Sequence, residues 1–370
     1  MLPRLFARII PKSSMTSIIE EDIQTIVQNL GEDAHRFSGK TVLISGGAGF
    51  LGRYFLGVFR HLNAHILEKP CRVLSVDNFI TGSVDQNAAH DPNIVHVWAD
   101  VVHPLPVRED IHFIIHAAGI ASPVYYMKYP LETIESAVMG IRNLLELARK
   151  NKSLEGFLYF SSSEIYGDPD PRFVPTPESY HGHVSSVGPR ACYDESKRLG
   201  ETIATIYHQQ HKIPVTIVRP FNVFGPGMGH NDRRVIPMFT YQALNKQPIP
   251  VHGQGSQTRT FCYITDAITG FTQTLLRGSH GEAYNIGNSD NEIAMNELAK
   301  LFAELVPGAS YKQIEYPETY PAGEPQRRCP DLTKARTHFD YAHKVSLRDG
   351  LARFIMWART EPRYLEQASS

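Results

Sequence analysis

A tyrosine and a lysine one helical turn apart could carry acid–base chemistry in this chain. Tyr193 and Lys197 stand at positions i and i+4 of a segment with helical periodicity, so both lie on one helix face. A lysine cation close to a phenol favours the phenolate and lowers the tyrosine pKa from its reference value of about 10. Tyr193 could then remove a hydroxyl proton while the carbinol hydride leaves for an acceptor. The same spacing also occurs by chance on helix surfaces, so its meaning depends on the elements around it.

Those elements alternate between short apolar segments and amphipathic ones. Strands are predicted at 41–45, 72–76, 94–98, 113–117, 157–160 and 215–219, and helices at 50–63, 131–151, 192–211, 298–305 and 347–357. Such alternation predicts a parallel sheet covered by helices. Beyond Arg219, prolines and glycines indicate a different structural unit. The predicted fold class is α/β, a Rossmann-type doubly wound parallel sheet with a smaller C-terminal α/β substrate-binding lobe, and the active site is expected in the cleft between them.

The predicted organisation has four parts. An N-terminal extension covers 1–37, a nucleotide-binding domain covers 38–220 with later returns near 260–290, the second lobe covers mainly 221–360, and a tail covers 361–370. A proline-rich connector is expected at 317–330. Residues 1–19 contain basic side chains and no acid, a bias typical of an organelle transit peptide. A disordered leader, or an upstream start ahead of Met15, would explain the same bias.

Composition excludes several classes of function. The 370 residues carry a formal net charge of -1, and no basic stripe indicates nucleic acid or an anionic membrane as a partner. The longest apolar stretch, near residues 113–121, is too short to span a bilayer. The four cysteines lack C-x-x-C spacing, and no acid or cysteine completes a metal set with the histidines. We therefore expect no metal site and a reducing, cytoplasmic location, with organelle targeting left open by the N-terminal segment.

A glycine cluster between the first predicted strand and helix indicates a dinucleotide site. Gly46, Gly49 and Gly52 permit a tight turn and close approach of the backbone to a pyrophosphate, which then lies at a helix N-terminus. Asp77 ends the second strand, where an acid binds ribose hydroxyls and disfavours a 2′-phosphate, so NAD is expected. Asp100 could contact adenine or only cap a loop. The expected cofactor-binding residues are Gly46, Gly49, Phe50, Leu51, Gly52, Asp77, Asn78, Asp100, Val101, Ala117, Ala118, Tyr193 and Lys197.

Together these landmarks resemble the extended short-chain dehydrogenase/reductase family, whose members act on nucleotide sugars. The resemblance spans about residues 40–359 and rests on the glycine cluster, Val76-Asp77-Asn78, His116-Ala117-Ala118, Ser161-Ser162-Ser163, the Tyr193/Lys197 pair and the segment 219–226. It implies that Asn222 and Arg328 contact the substrate diphosphate and that Lys197 contacts the nicotinamide ribose. It also implies a homodimer in which the helices at 131–151 and 192–211 pair with those of a partner.

Within the family, four segments look like UDP-glucuronic acid decarboxylases, at 121–127, 182–184, 188–195 and 255–259. Ser163 stands where the related 4,6-dehydratases carry an Asp, and simple 4-epimerases generally lack an acid at the position of Glu164. Two positions depart from the decarboxylase pattern, because Ser162 replaces the usual Thr and Cys329 replaces a basic residue. The resemblance implies NAD-dependent decarboxylation of UDP-glucuronate to UDP-xylose through a 4-keto intermediate. A 4,6-dehydratase, a 4-epimerase or a non-enzymatic dinucleotide-binding scaffold stay open as alternatives.

The roles that follow from this resemblance divide among six side chains. Tyr193 is expected to be the base for the C4 hydroxyl and Lys197 to tune it, while Ser162 bonds the 4-keto oxygen. Glu164 is expected to position the sugar and assist proton delivery at C5, with the neutral Ser163 beside it avoiding repulsion of a substrate carboxylate. Arg259 would recognise that carboxylate or hold a water. Glu164 could instead be satisfied by a local amide, and Arg259 could form only a structural ion pair.

Overall fold

The computed structural model describes residues 17–82, 90–232, 234–290, 292–316 and 325–365. Its strands are β1 Thr41–Ser45, β2 Arg72–Asp77, β3 Ile94–Trp98, β4 Phe113–His116, β5 Gly156–Phe160, β6 Val215–Pro220, β7 Val223–Phe224, β8 Ile249–His252, β9 Thr258–Arg259, β10 Cys262–Tyr263, β11 Ala283–Ile286, β12 Ile293–Ala294, β13 Tyr311–Ile314 and β14 Arg327–Arg328. Its α-helices are α1 Ile18–Leu30, α2 Phe50–His65, α3 Pro123–Lys128, α4 Pro130–Lys150, α5 Ala191–His211, α6 Val235–Leu244, α7 Ile264–Arg277, α8 Met295–Leu305, α9 Thr333–Phe339 and α10 Leu347–Ala358.

A seven-stranded sheet with the order β3-β2-β1-β4-β5-β6-β11 forms the centre of the molecule. Every neighbouring pair in it is parallel. The chain builds outward from β1 to β3 on one side and from β4 to β11 on the other, so the order reverses between β1 and β4. This arrangement confirms the predicted Rossmann-type doubly wound sheet. In such sheets, ligands bind beyond the carboxyl ends of the strands at the reversal point.

Helices cover both faces of this sheet. One face is packed by α4 and α5, whose apolar side chains meet those of the central strands. The other is packed by α2 and α7, and α7 is buried along nearly its whole length. The strands are correspondingly apolar on both faces, as β4 illustrates, because all four of its residues are buried. Within the described residues, no helix has both the length and the apolar character to cross a membrane.

The helix α1 packs against α2 and α7, although residues 1–37 were grouped as an extension by the sequence. It begins with a capping box in which Ser17 and Glu20 bond each other's backbone amides. Asp22 is 1% exposed and binds Tyr263 and Arg353, which ties α1 to β10 and α10. The expectations for 1–16, and for 317–324 of the proline-rich connector, lie outside the described residues.

Besides the central sheet and its covering helices, the described residues form small sheets and the helices α6, α8, α9 and α10, of which α9 packs against α7 and β11. The three-stranded sheet β12-β9-β14 matters for the site, because it aligns two segments that are distant in sequence. In the parallel pair of β9 and β14, Arg259 is the register partner of Arg328. Glu292, next to β12, bonds both the Thr258 hydroxyl and Arg327 from this sheet. The two buried arginines are thereby held side by side.

Candidate active site

A cleft opens where the strand order reverses. It is lined by eight of the residues expected to bind the cofactor: Gly46, Gly49, Asp77, Asn78, Asp100, Val101, Ala117 and Ala118. Gly119, Glu132 and Glu135 also line it. The expected residues Phe50 and Leu51 instead pack against the core from the first turn of α2.

The glycines at the mouth of this cleft serve different purposes. Gly46 has φ +79, and a Cβ there would lie 2.7 Å from the Ala118 nitrogen. A Cβ on Gly52 would lie 2.1 Å from the Gly46 carbonyl oxygen, so this glycine allows α2 to pack close to β1. A Cβ on Gly49 would meet only the Gly46 oxygen, at 3.2 Å, and would otherwise fill the space beside the helix N-terminus. That open space at the start of α2 fits a pyrophosphate.

Two carboxylates are fixed on the adenosine side of the cleft. Asp77 accepts hydrogen bonds from the backbone nitrogens of Ala48, at 2.9 Å, and Phe79, at 2.8 Å. Asp100 accepts from the Val102 nitrogen, at 3.0 Å, and from the Asn78 side chain, at 2.9 Å. Asp100 therefore caps its own loop while it also lines the cleft. A loop-capping role and a contact with adenine are thus compatible. A fixed carboxylate after β2 fits the ribose diol of NAD and repels a 2′-phosphate.

Tyr193 and Lys197 lie buried on α5 at the end of β5. Lys197 donates to the Phe160 carbonyl oxygen at 2.7 Å, and its Nζ lies 5.9 Å from the centre of the Tyr193 ring. A Cβ on Gly119 would be 3.2 Å from the same Nζ, so Lys197 reaches the lining of the cleft. The ring of Tyr126 stacks on Tyr193 with centroids 5.5 Å apart. The pair expected to act on the substrate hydroxyl is thus next to the cofactor cleft.

The expected lowering of the Tyr193 pKa is not found in this structure. Burial raises the pKa of Tyr193 to about 12, against a hydrogen bond with Ser162, and the charges of Glu164 and Asp194 add to the rise. Burial also lowers the pKa of Lys197 to about 8. The lysine charge alone would lower the pKa of Tyr193, but desolvation of the phenolate is the larger effect here.

Glu164 lies in a short 3₁₀ turn, Ser163–Tyr166, that begins where β5 ends. Its backbone nitrogen donates to the Ser162 hydroxyl at 3.2 Å, and Ser163 is buried beside it. Its carboxylate binds Arg328 at two points, 2.5 Å and 2.8 Å, and Arg190 at a third. Burial opposes ionisation, but Arg328 and Arg190 lower the Glu164 pKa to about 2, with Arg259 contributing further. Glu164 is therefore an ionised carboxylate surrounded by three guanidinium groups.

The arginines Arg259 and Arg328 are 6% and 5% exposed. Arg259 donates to the Thr258 carbonyl oxygen at 2.8 Å, and its charge acts on Glu164. Arg259 therefore contributes positive charge to the cluster around Glu164. Arg328 was expected at a diphosphate, yet its guanidinium lies on Glu164 beside the Tyr193 site. Both arginines can present positive charge to an anionic substrate that displaces part of this network.

Asn222 adopts a left-handed backbone conformation with φ 40 and donates from its side chain to the Thr260 carbonyl oxygen at 2.8 Å. This contact holds it between β7 and the Arg259 strand, in the second lobe. Among the described residues, no group of three or more His, Cys, Asp or Glu side chains could hold a metal ion. The cysteines at 71, 192, 262 and 329 are free thiols.

Three charged residues of the site were not assigned by sequence reasoning. Arg190 contacts Glu164 and lies 3.6 Å from Asp194, and Asp194 follows Tyr193 directly. Both fall within the segment 188–195 that carried the decarboxylase resemblance, which was the available signal. Only the fold shows that this segment turns back onto Glu164. Arg234, which binds Asp232, also acts on Tyr193 and was likewise unassigned.

Comparison with known proteins agrees with this geometry. The model of the NAD dependent epimerase/dehydratase family matches residues 42–287. UDP-glucuronic acid decarboxylase 5 of Arabidopsis thaliana is 39% identical over 318 residues, covering 85% of this chain and 88% of that protein. UDP-glucuronic acid decarboxylase 1 of Danio rerio is 38% identical over 325 residues, covering 87% of this chain and 73% of that protein.

Solved structures show the same fold. An epimerase from Methanothermobacter thermautotrophicus superposes with a TM-score of 0.76 at 29% identity, covering 91% of this chain and 96% of the other. A dTDP-glucose 4,6-dehydratase from Streptomyces venezuelae, solved with NAD bound, gives a TM-score of 0.76 at 25% identity and covers 88% of this chain and 99% of the other. With the strand order, the glycine-lined cleft and the Tyr193/Lys197 pair, these matches show that the chain belongs to the NAD-dependent epimerase/dehydratase family.

Proposed function

We propose that this protein is a carbon–carbon lyase that decarboxylates UDP-glucuronate to UDP-xylose, using NAD as a cofactor that is regenerated in each cycle. The observation that carries the proposal is the convergence of Arg190, Arg259 and Arg328 on the single carboxylate of Glu164, beside Tyr193. Such an excess of positive charge suits a sugar with its own carboxylate. The names of the relatives at 38–40% identity support the same substrate.

The first chemical step requires a base at the C4 hydroxyl of the sugar. NAD, when bound in the glycine-lined cleft, would supply the two-electron acceptor for C4 and the hydride for its later reduction, so the cycle would be redox-neutral. Tyr193 would take the hydroxyl proton, and Lys197, next to the cleft at Gly119, would stabilise the phenolate. Ser162, which bonds Tyr193, would donate to the developing C4 oxygen.

The second step breaks the C5–C6 bond. Once C4 is a ketone, the C6 carboxylate lies β to it and can leave as carbon dioxide, with the electron pair passing towards the C4 oxygen. No acid is needed to expel a hydroxyl from C6, which agrees with Ser163 in place of an aspartate. Arg259 and Arg328 would hold the carboxylate before it leaves. Glu164 has a pKa of about 2, so it would assist protonation at C5 by orienting a water.

The substrate diphosphate would lie against the second lobe, where Asn222 links β7 to the Arg259 strand. We place Arg328 on the sugar side of this site, since its guanidinium binds Glu164. This modifies the diphosphate role expected for it from the sequence.

We also propose that the protein is a homodimer formed through α4 and α5. These two helices pack on each other over one face of the central sheet. Leu131 on α4 is 69% exposed and Leu199 on α5 is 47% exposed. Apolar side chains on a helix pair suit burial against the same pair of a second copy in a four-helix bundle.

Mass spectrometry of products from a panel of UDP-, dTDP- and GDP-sugars tests the proposed function. Conversion of UDP-glucuronate alone, with loss of the mass of carbon dioxide, supports it. Loss of water from a neutral hexose would instead indicate a 4,6-dehydratase. An unchanged mass with UDP-galacturonate as product would indicate a 4-epimerase.

A further inference from the structure

Asp194 turns its carboxyl group into the same buried site as Tyr193. It is 6% exposed, and its Oδ1 atom is buried without a hydrogen-bond partner among the described residues. Its Oδ2 atom lies 3.6 Å from Nε of Arg190, which in turn contacts Glu164. A buried, unpartnered carboxylate oxygen is costly when ionised, so this environment favours the protonated form.

Charged and titratable groups face Asp194 from several elements. Other elements contribute Glu164 from the turn after β5, Arg328 from β14 and Tyr126 from α3. Tyr193 lies on the same helix as Asp194, and Arg190 directly precedes that helix. Burial and the negative charge of Glu164 raise the pKa of Asp194 to about 7, against the pull of Arg190 and Arg328. The hydroxyl of Tyr126 is also buried without a partner among the described residues, so two unsatisfied polar atoms occur in this region.

The proposed reaction consumes one proton. The C5–C6 bond breaks, carbon dioxide leaves, and the electron pair remains on the enolate of the 4-keto sugar. A C5–H bond then forms. In the balance, the substrate carboxylate and one proton are consumed, and carbon dioxide and a new C–H bond are formed. The proton taken from the C4 hydroxyl is not available, because it returns to that oxygen when C4 is reduced.

The other groups of the site are poorly suited to hold this proton. Glu164 is ionised near neutral pH, since its pKa is about 2. Lys197 donates to the Phe160 carbonyl oxygen and lies next to the cofactor cleft at Gly119. Guanidinium groups do not release protons in proteins. Asp194 is the remaining carboxyl group of the cluster.

We propose that Asp194 stores the proton that replaces the departing carboxylate, delivering it to C5 through water held beside Glu164. This inference rests on the proposed decarboxylation. The O–H bond of the Asp194 carboxyl breaks as the C5–H bond forms, and solvent then returns a proton to Asp194. Binding of a carboxylate substrate adds one more negative charge to the cluster, which favours protonation of Asp194. Proton uptake therefore accompanies binding of UDP-glucuronate and not of UDP-xylose, which lacks the carboxylate.

Calorimetry measures this uptake without turnover. The Tyr193→Phe holoenzyme is titrated with UDP-glucuronate or UDP-xylose at pH 7.5 in phosphate and in Tris, whose ionisation enthalpies differ. We expect binding of UDP-glucuronate to take up more protons than binding of UDP-xylose does, by a fraction of a proton for each site. The excess disappears in Tyr193→Phe/Asp194→Asn. An absent excess, or one that persists in the double variant, overturns the proposal.

Turnover of single variants supplies the second readout. For Asp194→Asn we expect kcat to fall about 100-fold, as for loss of a proton donor, with KM for UDP-glucuronate changed less than about threefold. Asp194→Glu should recover part of the rate. Glu195→Gln, the next acid on α5, is the matched control and should stay within about twofold of wild type. An Asp194→Asn protein with wild-type kcat contradicts the proposal. A wild-type protein that releases no carbon dioxide contradicts the proposed function instead, and the calorimetric result then decides whether Asp194 takes up a proton.

Discussion

Glu164 and Arg328 form a two-point ion pair, with Nη1–Oε1 and Nη2–Oε2 distances of 2.5 Å and 2.8 Å, that joins the central sheet to the small sheet β12-β9-β14. Glu164 follows β5 of the central sheet, and Arg328 lies in β14 of the small sheet. Fork-to-fork geometry of this kind is stronger and more directional than a single contact. The pair therefore fixes the position of Arg328, and of the small sheet that carries it, relative to the end of β5.

Removal of the Glu164 charge should destabilise the protein as well as inactivate it. Glu164→Gln leaves Arg328 and Arg190 in a largely buried site without their counter-charge, a loss on the order of 3 kcal/mol in the free energy of unfolding. Because its folded pKa of about 2 lies below the model value of 4.5, the wild-type contribution is present above pH 4.5 and is lost as the pH falls towards 2. Urea unfolding at pH 7 measures the difference.

The control for that measurement is the exposed pair of Asp170 and Arg172. Asp170→Asn should leave the urea midpoint unchanged, because exposed ion pairs contribute little. Equal losses in Glu164→Gln and Asp170→Asn would contradict the stabilising role assigned to the Glu164 cluster.

Asp194 should have the opposite effect on stability. Its folded pKa of about 7 lies above the model value of 3.8, so the folded state binds the extra proton between these values. Stability therefore decreases as the pH rises through this window, by up to about 4 kcal/mol. Asp194→Asn removes the penalty and should raise Tm at pH 8.5 while changing it little at pH 4. Differential scanning calorimetry at both pH values tests this, and a Tm lowered equally at both would show that the carboxyl stabilises the fold.

Substitutions of Gly52 and Gly49, at the start of α2, should affect different properties, namely the stability of the fold and the affinity for NAD. Gly52→Ala places a Cβ 2.1 Å from the Gly46 oxygen and should cost about 2–3 kcal/mol in the free energy of unfolding. Gly49→Ala meets only a 3.2 Å contact, so the apoprotein should keep nearly its full stability. Its new methyl group lies in the pyrophosphate space, and NAD affinity should fall about tenfold or more. Thermal unfolding of the apoprotein and calorimetric titration with NAD measure the two effects, and an unaltered NAD affinity in Gly49→Ala would exclude the pyrophosphate from this position.

Arg259 should discriminate between substrate and product. Arg259→Gln removes a charge that would face the C6 carboxylate, so binding of UDP-glucuronate should weaken by about 10- to 100-fold, as for loss of a buried charge pair. Binding of UDP-xylose, which has no carboxylate, should change far less. Competition titrations with both ligands on a Tyr193→Phe background give the ratio, and equal weakening of both would assign Arg259 a purely structural role.

Local patterns in the sequence predicted the central elements of this fold. The strands β1 to β6 were recognisable because parallel strands are short apolar runs bounded by turns, although β3, at the edge of the sheet, is only partly buried. The glycine cluster was recognisable from its spacing. The helix α1 was missed although its capping residues, Ser17 and Glu20, were visible. The helix α7 was missed for a different reason, because it is buried on nearly all sides and rich in threonine, which weakens any amphipathic signal.

The site was predictable only in part, because its central cluster comes from distant segments. Tyr193, Lys197 and Glu164 belong to local motifs, so their roles could be predicted from the sequence. The contacts of Glu164 with Arg328 and Arg190 depend on how β14 and the segment before α5 fold back, which spacing does not reveal. The direction of the Tyr193 pKa shift was wrong for the same reason, since burial is a tertiary property.

The measurement that tests the central claim most directly follows C6 of the substrate. Purified protein supplied with UDP-glucuronate labelled with ¹³C at C6, and with NAD far below the substrate concentration, is monitored by NMR. The arginine cluster around Glu164 and the redox-neutral cycle predict one equivalent of labelled carbon dioxide or bicarbonate for each UDP-xylose formed, with no accumulation of reduced cofactor. Label retained in a UDP-hexuronate product, or turnover that stops after one equivalent of NAD, would contradict the account.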